Sequence, residues 1–143
     1  MIVLDTDMVT VVQRASGEAY ARLMARLESS PLQPICVTLV SFEEQSRGWL
    51  AYIARSNTLT KQIQAYSRLH KLLQEYQTYR ILDFDKQAAV EYDHLRKAKI
   101  RIGTMDLRIA GIALAHGATL VSGNLTDFRK VPELRVEDWT ADA

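Results

Sequence analysis

The stretch MIVLDTDMVT, residues 1–10, runs three apolar residues straight into Asp5 and Asp7. A strand over Ile2 to Leu4 that is apolar on both faces belongs in the middle of a parallel α/β sheet, where helices cover both sides. In such sheets ligands sit just beyond the carboxyl ends of the strands. A carboxylate at that place is a chemical signal as well as a helix cap.

Working outward, short apolar runs predict further strands at Ile35 to Leu39, Arg80 to Phe84 and Thr119 to Ser122, with a short last one at Leu134 to Val136. The stretches between them have helical period. In SGEAYARLMARLESSP, Ser16 is the expected N-cap, with Tyr20, Leu23, Met24 and Leu27 on one face and Pro31 and Pro34 ending the helix. The region from Ser41 to Tyr79 divides into two helices near RSNTLT, and the second carries Ile63, Tyr66, Leu69, Leu73 and Tyr76 at core spacing. Asp85 caps KQAAVEYDHLRKA, while Gly103 and Thr104 open MDLRIAGIALAH, which Gly117 closes. This alternation predicts an α/β fold with a mostly parallel central sheet.

The chain has 143 residues, which suits a single domain over 1–143. A formal charge of +1 does not announce a nucleic-acid binder. Cys36 is the only cysteine, which excludes an internal disulfide framework and a cysteine-rich zinc site and fits a reducing compartment. With no secretory leader and no apolar run of membrane-spanning length, the expectation is a soluble cytoplasmic protein. His70, His94 and His116 occur outside any H-E-x-x-H pattern, and nucleophile-elbow, Walker and dinucleotide motifs are absent.

Four acids fall where strands hand over to helices: Asp5, Glu44, Asp106 and Asp127. Each alone is explained by a helix cap or the macrodipole. Together they would share one edge of a parallel sheet, and converging carboxylates repel unless a cation neutralises them. Hard oxygen ligands of this kind suit Mg²⁺, with Mn²⁺ as the alternative. Such an ion activates water against a phosphodiester without a protein nucleophile. The rival is an aspartyl-phosphate enzyme of the haloacid dehalogenase type, since Asp5 to Val9 fits D-x-D-x-[T/V]. There Asp5 would be the nucleophile, Asp7 the acid/base, and Thr38 or Ser41 the hydroxyl residue. That family places a paired acidic motif after a later strand, whereas Asp106 is followed by Leu107, Arg108, Ile109 and Ala110.

Read jointly, IVLDTD, VTLVSFEEQSRG, RIGTMDLRIAGIALAHGATLVSGNLTDF and VPELRVEDW resemble the PIN-domain ribonucleases, most closely the VapC toxins of type II toxin–antitoxin pairs. The resemblance runs essentially the full length and implies a three-layer α/β/α PIN-like fold. It matches the family's metal-binding acids to Asp5, to Glu44 (four residues before Gly48, and so not Glu43), to Asp106, and to Asp127 in the N-x-x-D-F segment from Asn124 to Phe128. Thr6, Ser122 and Asn124 would orient these carboxylates by hydrogen bonding. Many relatives have Asn where this chain has Asp7 and Thr where it has Ser122; whether Asp7 helps bind metal or caps the helix stays open.

The implied activity is hydrolysis of RNA, of a tRNA or another structured RNA. Mg²⁺ would be held chiefly by Asp5 and Asp106, with Glu44 and Asp127 completing the pocket and positioning water. The implied partners are a VapB-like antitoxin, reaching a cation into the pocket, and a second copy in a homodimer. A non-catalytic PIN-like binding module is the remaining reading, for which the carboxylates would have no use. An acidic pocket needs cations at its rim to hold RNA. His94, Arg96, Lys97, Lys99 and Arg101 in HLRKAKIR, with Arg108, are the expected ones. Trp49, Tyr52, Tyr66, Tyr76 and Tyr79 stand at helical spacing, the pattern of core residues, although exposed ones stack on bases.

Overall fold

The computed structural model describes residues 1–141. Five strands, β1 (Ile2–Leu4), β2 (Ile35–Thr38), β3 (Arg80–Leu82), β4 (Thr119–Val121) and β5 (Arg135–Glu137), form one sheet in the order β3-β2-β1-β4-β5. Every pairing is parallel. From β1 the chain moves outward through β2 and β3, then returns to lay β4 and β5 on the other side of β1. The order therefore reverses between β1 and β4, and their carboxyl ends form the crevice where such sheets take ligands.

Seven helices complete the fold: α1 (Thr6–Arg14), α2 (Glu18–Glu28), α3 (Leu39–Arg55), α4 (Leu59–Thr78), α5 (Lys86–Lys97), α6 (Thr104–Ala115) and α7 (Leu125–Phe128). Strand side chains alternate between two cores. Val3, Cys36 and Leu120 pack with Ala88, Leu95, Ile109 and Ile112 on the α5–α6 side. Ile2, Leu4, Val37 and Val121 pack with Met8, Leu23, Leu72 and Tyr76 on the α1, α2 and α4 side. These two cores make the expected three layers. No helix among the described residues is long and apolar enough to cross a membrane.

The expected strands run slightly long at β2, β3 and β4. β2 stops at Thr38 because the Thr38 hydroxyl accepts the Ser41 N–H at 3.1 Å and starts α3 two residues ahead of the expected Ser41. Likewise β4 stops at Val121, where the Ser122 side chain turns toward Asp5. β5 begins one residue late, since the Leu134 N–H is spent on Val131 in the preceding turn. The break within the long helical region falls as expected, with Thr58 capping α4 through the Lys61 N–H. Asp85 caps α5 through the Ala88 N–H at 3.0 Å.

Two helical expectations need correction. Ser16 does not cap α2: the N-cap position is Gly17, at φ 94, with no side-chain hydrogen bond. The short turn from α1 needs left-handed backbone at Ala15 (φ 53) and again at Gly17, which leaves Ser16 exposed between them. In α4 the apolar stripe assigned to the core is only partly inside. Tyr76 is buried and Leu69 half-buried, but Ile63, Tyr66 and Leu73 are 69%, 59% and 50% exposed. The inward face is Ala65, Leu72 and Tyr76, spaced 7 and 4. Positions 59, 63, 66 and 73 fall on a second apolar stripe, turned by about 100° per residue onto the neighbouring face.

α6 is buried nearly all round, through Leu107, Ile109, Ala110, Gly111, Ile112 and Ala113. Its closest neighbour is α5, at Gly111. A methyl group there would lie 2.9 Å from the Ala88 carbonyl oxygen and 3.1 Å from the Tyr92 nitrogen, both backbone atoms that yield only if the helices part. Overpacking of this kind costs about 1–3 kcal/mol, and alanine's better helix propensity returns about 1. Gly111→Ala is expected to lower stability by up to about 2 kcal/mol net, read as a lower urea midpoint at unchanged slope.

Candidate active site

Asp5 ends β1 and caps α1. Its N–H still donates to the Val121 carbonyl, extending the ladder one residue past the strand. Its side chain accepts two hydrogen bonds, at Oδ1 from the Met8 N–H (2.9 Å) and at Oδ2 from the Ser122 hydroxyl (2.5 Å). Asp5 is 3% exposed. Burial therefore pushes its carboxyl from 3.8 up to about 6, with added repulsion from Asp7 and Asp106, even though the Ser122 and Met8 bonds pull the other way.

Asp106 lies in the first turn of α6, half-buried. It too is pushed up to about 6, first by burial and then by the negative charges of Glu44, Asp7 and Asp127. The four sequence-predicted acids thus act on one another across the carboxyl edge of the sheet. Asp7, exposed on the first turn of α1, raises both Asp5 and Asp106 and so belongs to the same electrostatic group.

Glu44 projects from α3. Its Oε1 accepts the Thr6 hydroxyl at 2.7 Å. Thr6 has one proton and gives it to the carboxylate, so its 2.9 Å contact with Ser41 must have Ser41 as donor. Ser41 in turn receives the Thr38 hydroxyl at 3.4 Å. Thr38 and Ser41 are fully buried, so a one-way chain of hydroxyls runs from the end of β2 to Glu44. Ser122 is used the same way: it receives the Asn124 N–H at 2.9 Å while donating to Asp5. The predicted orienting roles of Thr6, Ser122 and Asn124 agree with these bonds.

Asp127, in α7, differs from the others. Asn124 bonds it from both sides, accepting the Asp127 N–H at 3.3 Å and donating to Oδ2 at 3.0 Å. Lys130 sits 3.3 Å from Oδ1. The Asn124 bond first, and Lys130 next, hold the Asp127 carboxyl below the usual range. Both of its oxygens are engaged, which suits contact with a cation through water.

Among the described residues, no three His, Cys, Asp or Glu side chains form a group that could hold a metal ion as the side chains stand. Mg²⁺ does not need one, because it keeps most of its waters and binds through one or two carboxylates. The donor set is all hard oxygen. The raised Asp5 and Asp106 carboxyls mark the place where positive charge would be most stabilising.

Sequence reasoning missed a polar bracket behind Glu44. Gln45 donates to Gln13 at 2.8 Å, Gln13 donates back to Gln45 at 3.1 Å, and the Tyr76 hydroxyl donates to Gln45 at 2.8 Å. It ties α1, α3 and α4 together; the only hint in the sequence is a Gln on each of two neighbouring helices. The basic run is also changed. Arg96 and Lys97 both pair with Asp93, at 2.6 and 2.9 Å, so part of its charge is already met on α5 itself.

This chain belongs to the PIN domain family, whose model matches residues 2–134. That membership removes the ground for the aspartyl-phosphate reading of Asp5. The chain is similar to the tRNA(fMet)-specific endonuclease VapC of Salmonella typhimurium, 40% identical over 63 residues that make up 41% of this chain. The match spans about half (48%) of that relative's length. Ribonuclease VapC1 of Rickettsia felis is 24% identical over 94% of this chain and 93% of its own. Among solved structures, VapBC2 from Rickettsia felis bound to a DNA fragment from their promoter matches with a TM-score of 0.69 and 26% identity, over 97% of this chain and 99% of that one.

The raised carboxyls set a pH dependence. Asp5 and Asp106 bind protons more tightly folded than unfolded, so the folded state gains nothing from them above about 6 and gains stability as pH falls from 6 toward 3.8. In EDTA, the melting temperature is expected to be higher at pH 5 than at pH 7.5 as far as these groups contribute. Asp5→Asn should flatten that slope and raise the melting temperature at pH 7.5, as followed by circular dichroism.

Proposed function

We propose that this chain is a metal-dependent endoribonuclease, the toxin of a VapBC-type pair, with Mg²⁺ or Mn²⁺ bound chiefly by Asp5 and Asp106. The observation that carries the reading is the gathering of buried Asp5 and half-buried Asp106 at the carboxyl edge of the sheet, in a PIN domain. A bound divalent ion would acidify the attacking water and offset charge growing on the phosphate. Ser122 keeps Asp5 ionised and aimed, which outer hydrogen bonds do for carboxylate ligands generally. Thr6 and its hydroxyl chain hold Glu44 in place to orient the water. Asp127, kept ionised by Asn124 and Lys130, completes the pocket beside Asp106, whose carboxyl feels its charge.

Relatives named ribonucleases, one of them a tRNA(fMet)-specific endonuclease, support a structured RNA as substrate. Structural neighbours described as VapBC assemblies support a VapB-like protein partner. An antitoxin arginine entering the carboxylate pocket would satisfy the same repulsion that the metal does. We further propose a homodimer acting in the cytoplasm.

The test is brief induction of the wild-type chain and of Asp106→Asn in a surrogate bacterium, with new RNA 5′ ends mapped transcriptome-wide. Purified protein is assayed beside it with Mn²⁺ and with EDTA. The expected result is discrete ends from wild type only, and in vitro cleavage that EDTA abolishes and Asp106→Asn slows at least ~100-fold. Folded wild-type protein that cuts no RNA in either setting would leave the non-catalytic module as the reading.

A further inference from the structure

We propose that the cavity along α3, closed by Phe84 and by Arg108 of α6, is a nucleotide subsite in which Arg108 takes a phosphate of single-stranded RNA and an apolar wall takes the adjoining base. The cavity measures about 570 Å³, within the range of about 300–1,000 Å³ of small-ligand sites. Its wall is Leu39, Val40, Phe42 and Leu50 of α3, with Phe84 from the segment after β3. Leu39 and Leu50 are 43% and 53% exposed, so apolar surface is open to an occupant.

The charges in the cavity decide the class of occupant. Glu43 and Arg47 cancel through an ion pair at 2.7 Å, which leaves one net positive charge, that of Arg108. Arg108 is half-buried and has no carboxylate within 4.0 Å among the described residues. Its contacts are a weak bond to the Met105 sulfur at 3.5 Å and the face of Tyr92 at 5.7 Å. A half-buried guanidinium with no carboxylate beside it is left to take an anion from outside, and its planar fork matches phosphate oxygens two at a time. Ser46, in the same wall, has a hydroxyl with no hydrogen-bond partner.

Position ties the cavity to the chemistry. Glu43 precedes Glu44 on α3, and Arg108 lies two residues beyond Asp106, about 3 Å along the axis of α6 and about 200° around it, so the cavity flanks the acidic edge on another face of the same two helices. A strand with one phosphate at the carboxylates would pass round the first turn of α6 before a further nucleotide met Arg108. An acidic pocket cannot hold such a strand without a cation close by. Unstacked bases pack on apolar and aromatic side chains whatever their identity, as single-strand binding sites show.

The inference rests on the nuclease reading for its choice of RNA, and the test separates the two. Full-length protein carrying Asp106→Asn, which leaves the strand uncut, is titrated in Mn²⁺ with fluorescein-labelled single-stranded oligouridylate and with an abasic strand of equal length. Adding Arg108→Gln is expected to weaken binding of both strands about 10- to 100-fold. Arg108→Lys should recover only part of that loss. Leu50→Ser should weaken oligouridylate and leave the abasic strand unchanged, with melting temperatures checked for every variant. Unchanged binding in Arg108→Gln, or no binding in the parent, overturns the subsite. So does sedimentation showing that Leu50→Arg turns a dimer into a monomer, because the wall would then be covered by a second copy. Arg108-dependent binding by a wild-type protein that cuts nothing keeps the subsite and removes the nuclease; cutting without Arg108-dependent binding does the reverse.

Discussion

Like charges held out of water at one edge of the sheet are the constraint on which the rest of the structure depends. A parallel sheet directs every strand's carboxyl end, and the start of every helix that follows, to the same side. Asp5, Glu44, Asp106 and Asp127 are therefore gathered by topology, though they are far apart in the chain. What topology gathers, electrostatics opposes: burial and mutual repulsion push Asp5 and Asp106 up to about 6. The protein answers with donors. The Met8 N–H and the Ser122 hydroxyl stabilise Asp5, Thr6 meets Glu44, and Asn124 with Lys130 meets Asp127. Asp106 has no such bond of its own among the described hydrogen bonds, and it feels the negative charges of Glu44, Asp7 and Asp127.

The two halves of the site are built differently. Asp5 and Ser122 hang from adjacent central strands, fixed by the β1–β4 ladder and a buried hydroxyl. Glu44 and Asp106 are carried by helices, and their placement depends on how α3 and α6 sit on the sheet. For α6 that seat is set by close backbone contact with α5 at Gly111, where no side chain larger than hydrogen fits without displacement. For α3 it is set by the Thr38 cap below and by the Gln45, Gln13 and Tyr76 bracket behind. Rigid elements place catalytic groups more closely than loops do. Only Asp127, on the short α7, relies on local bonds for its position.

Much of this was legible in the chain. The β1 strand ending on Asp5, the Asp85 cap, the helix break near RSNTLT and the small-residue helix after Gly103 follow from periodicity and capping chemistry, which act over a few residues. The acids at strand-to-helix junctions were legible for the same reason. Less legible were features in which two rules compete. α4 carries two apolar stripes, and spacing alone cannot say that Ala65, Leu72 and Tyr76 face the core while Ile63 and Tyr66 face out. The basic run after Tyr92 is a rim candidate by composition, yet Asp93 claims Arg96 and Lys97 within one turn.

By itself the sequence determined the alternating strands and helices, the parallel class of sheet and the identity of the acids, because each depends on local period and residue type. Only the tertiary structure decided which acid is most buried, that Ser122 meets Asp5 in particular across 117 positions of chain, and that Asp7 shares their field. It also decided that Arg108 stands without a carboxylate beside an open apolar wall. Desolvation and pairing depend on what the fold brings within a few ångströms, and no spacing along a chain specifies that in advance.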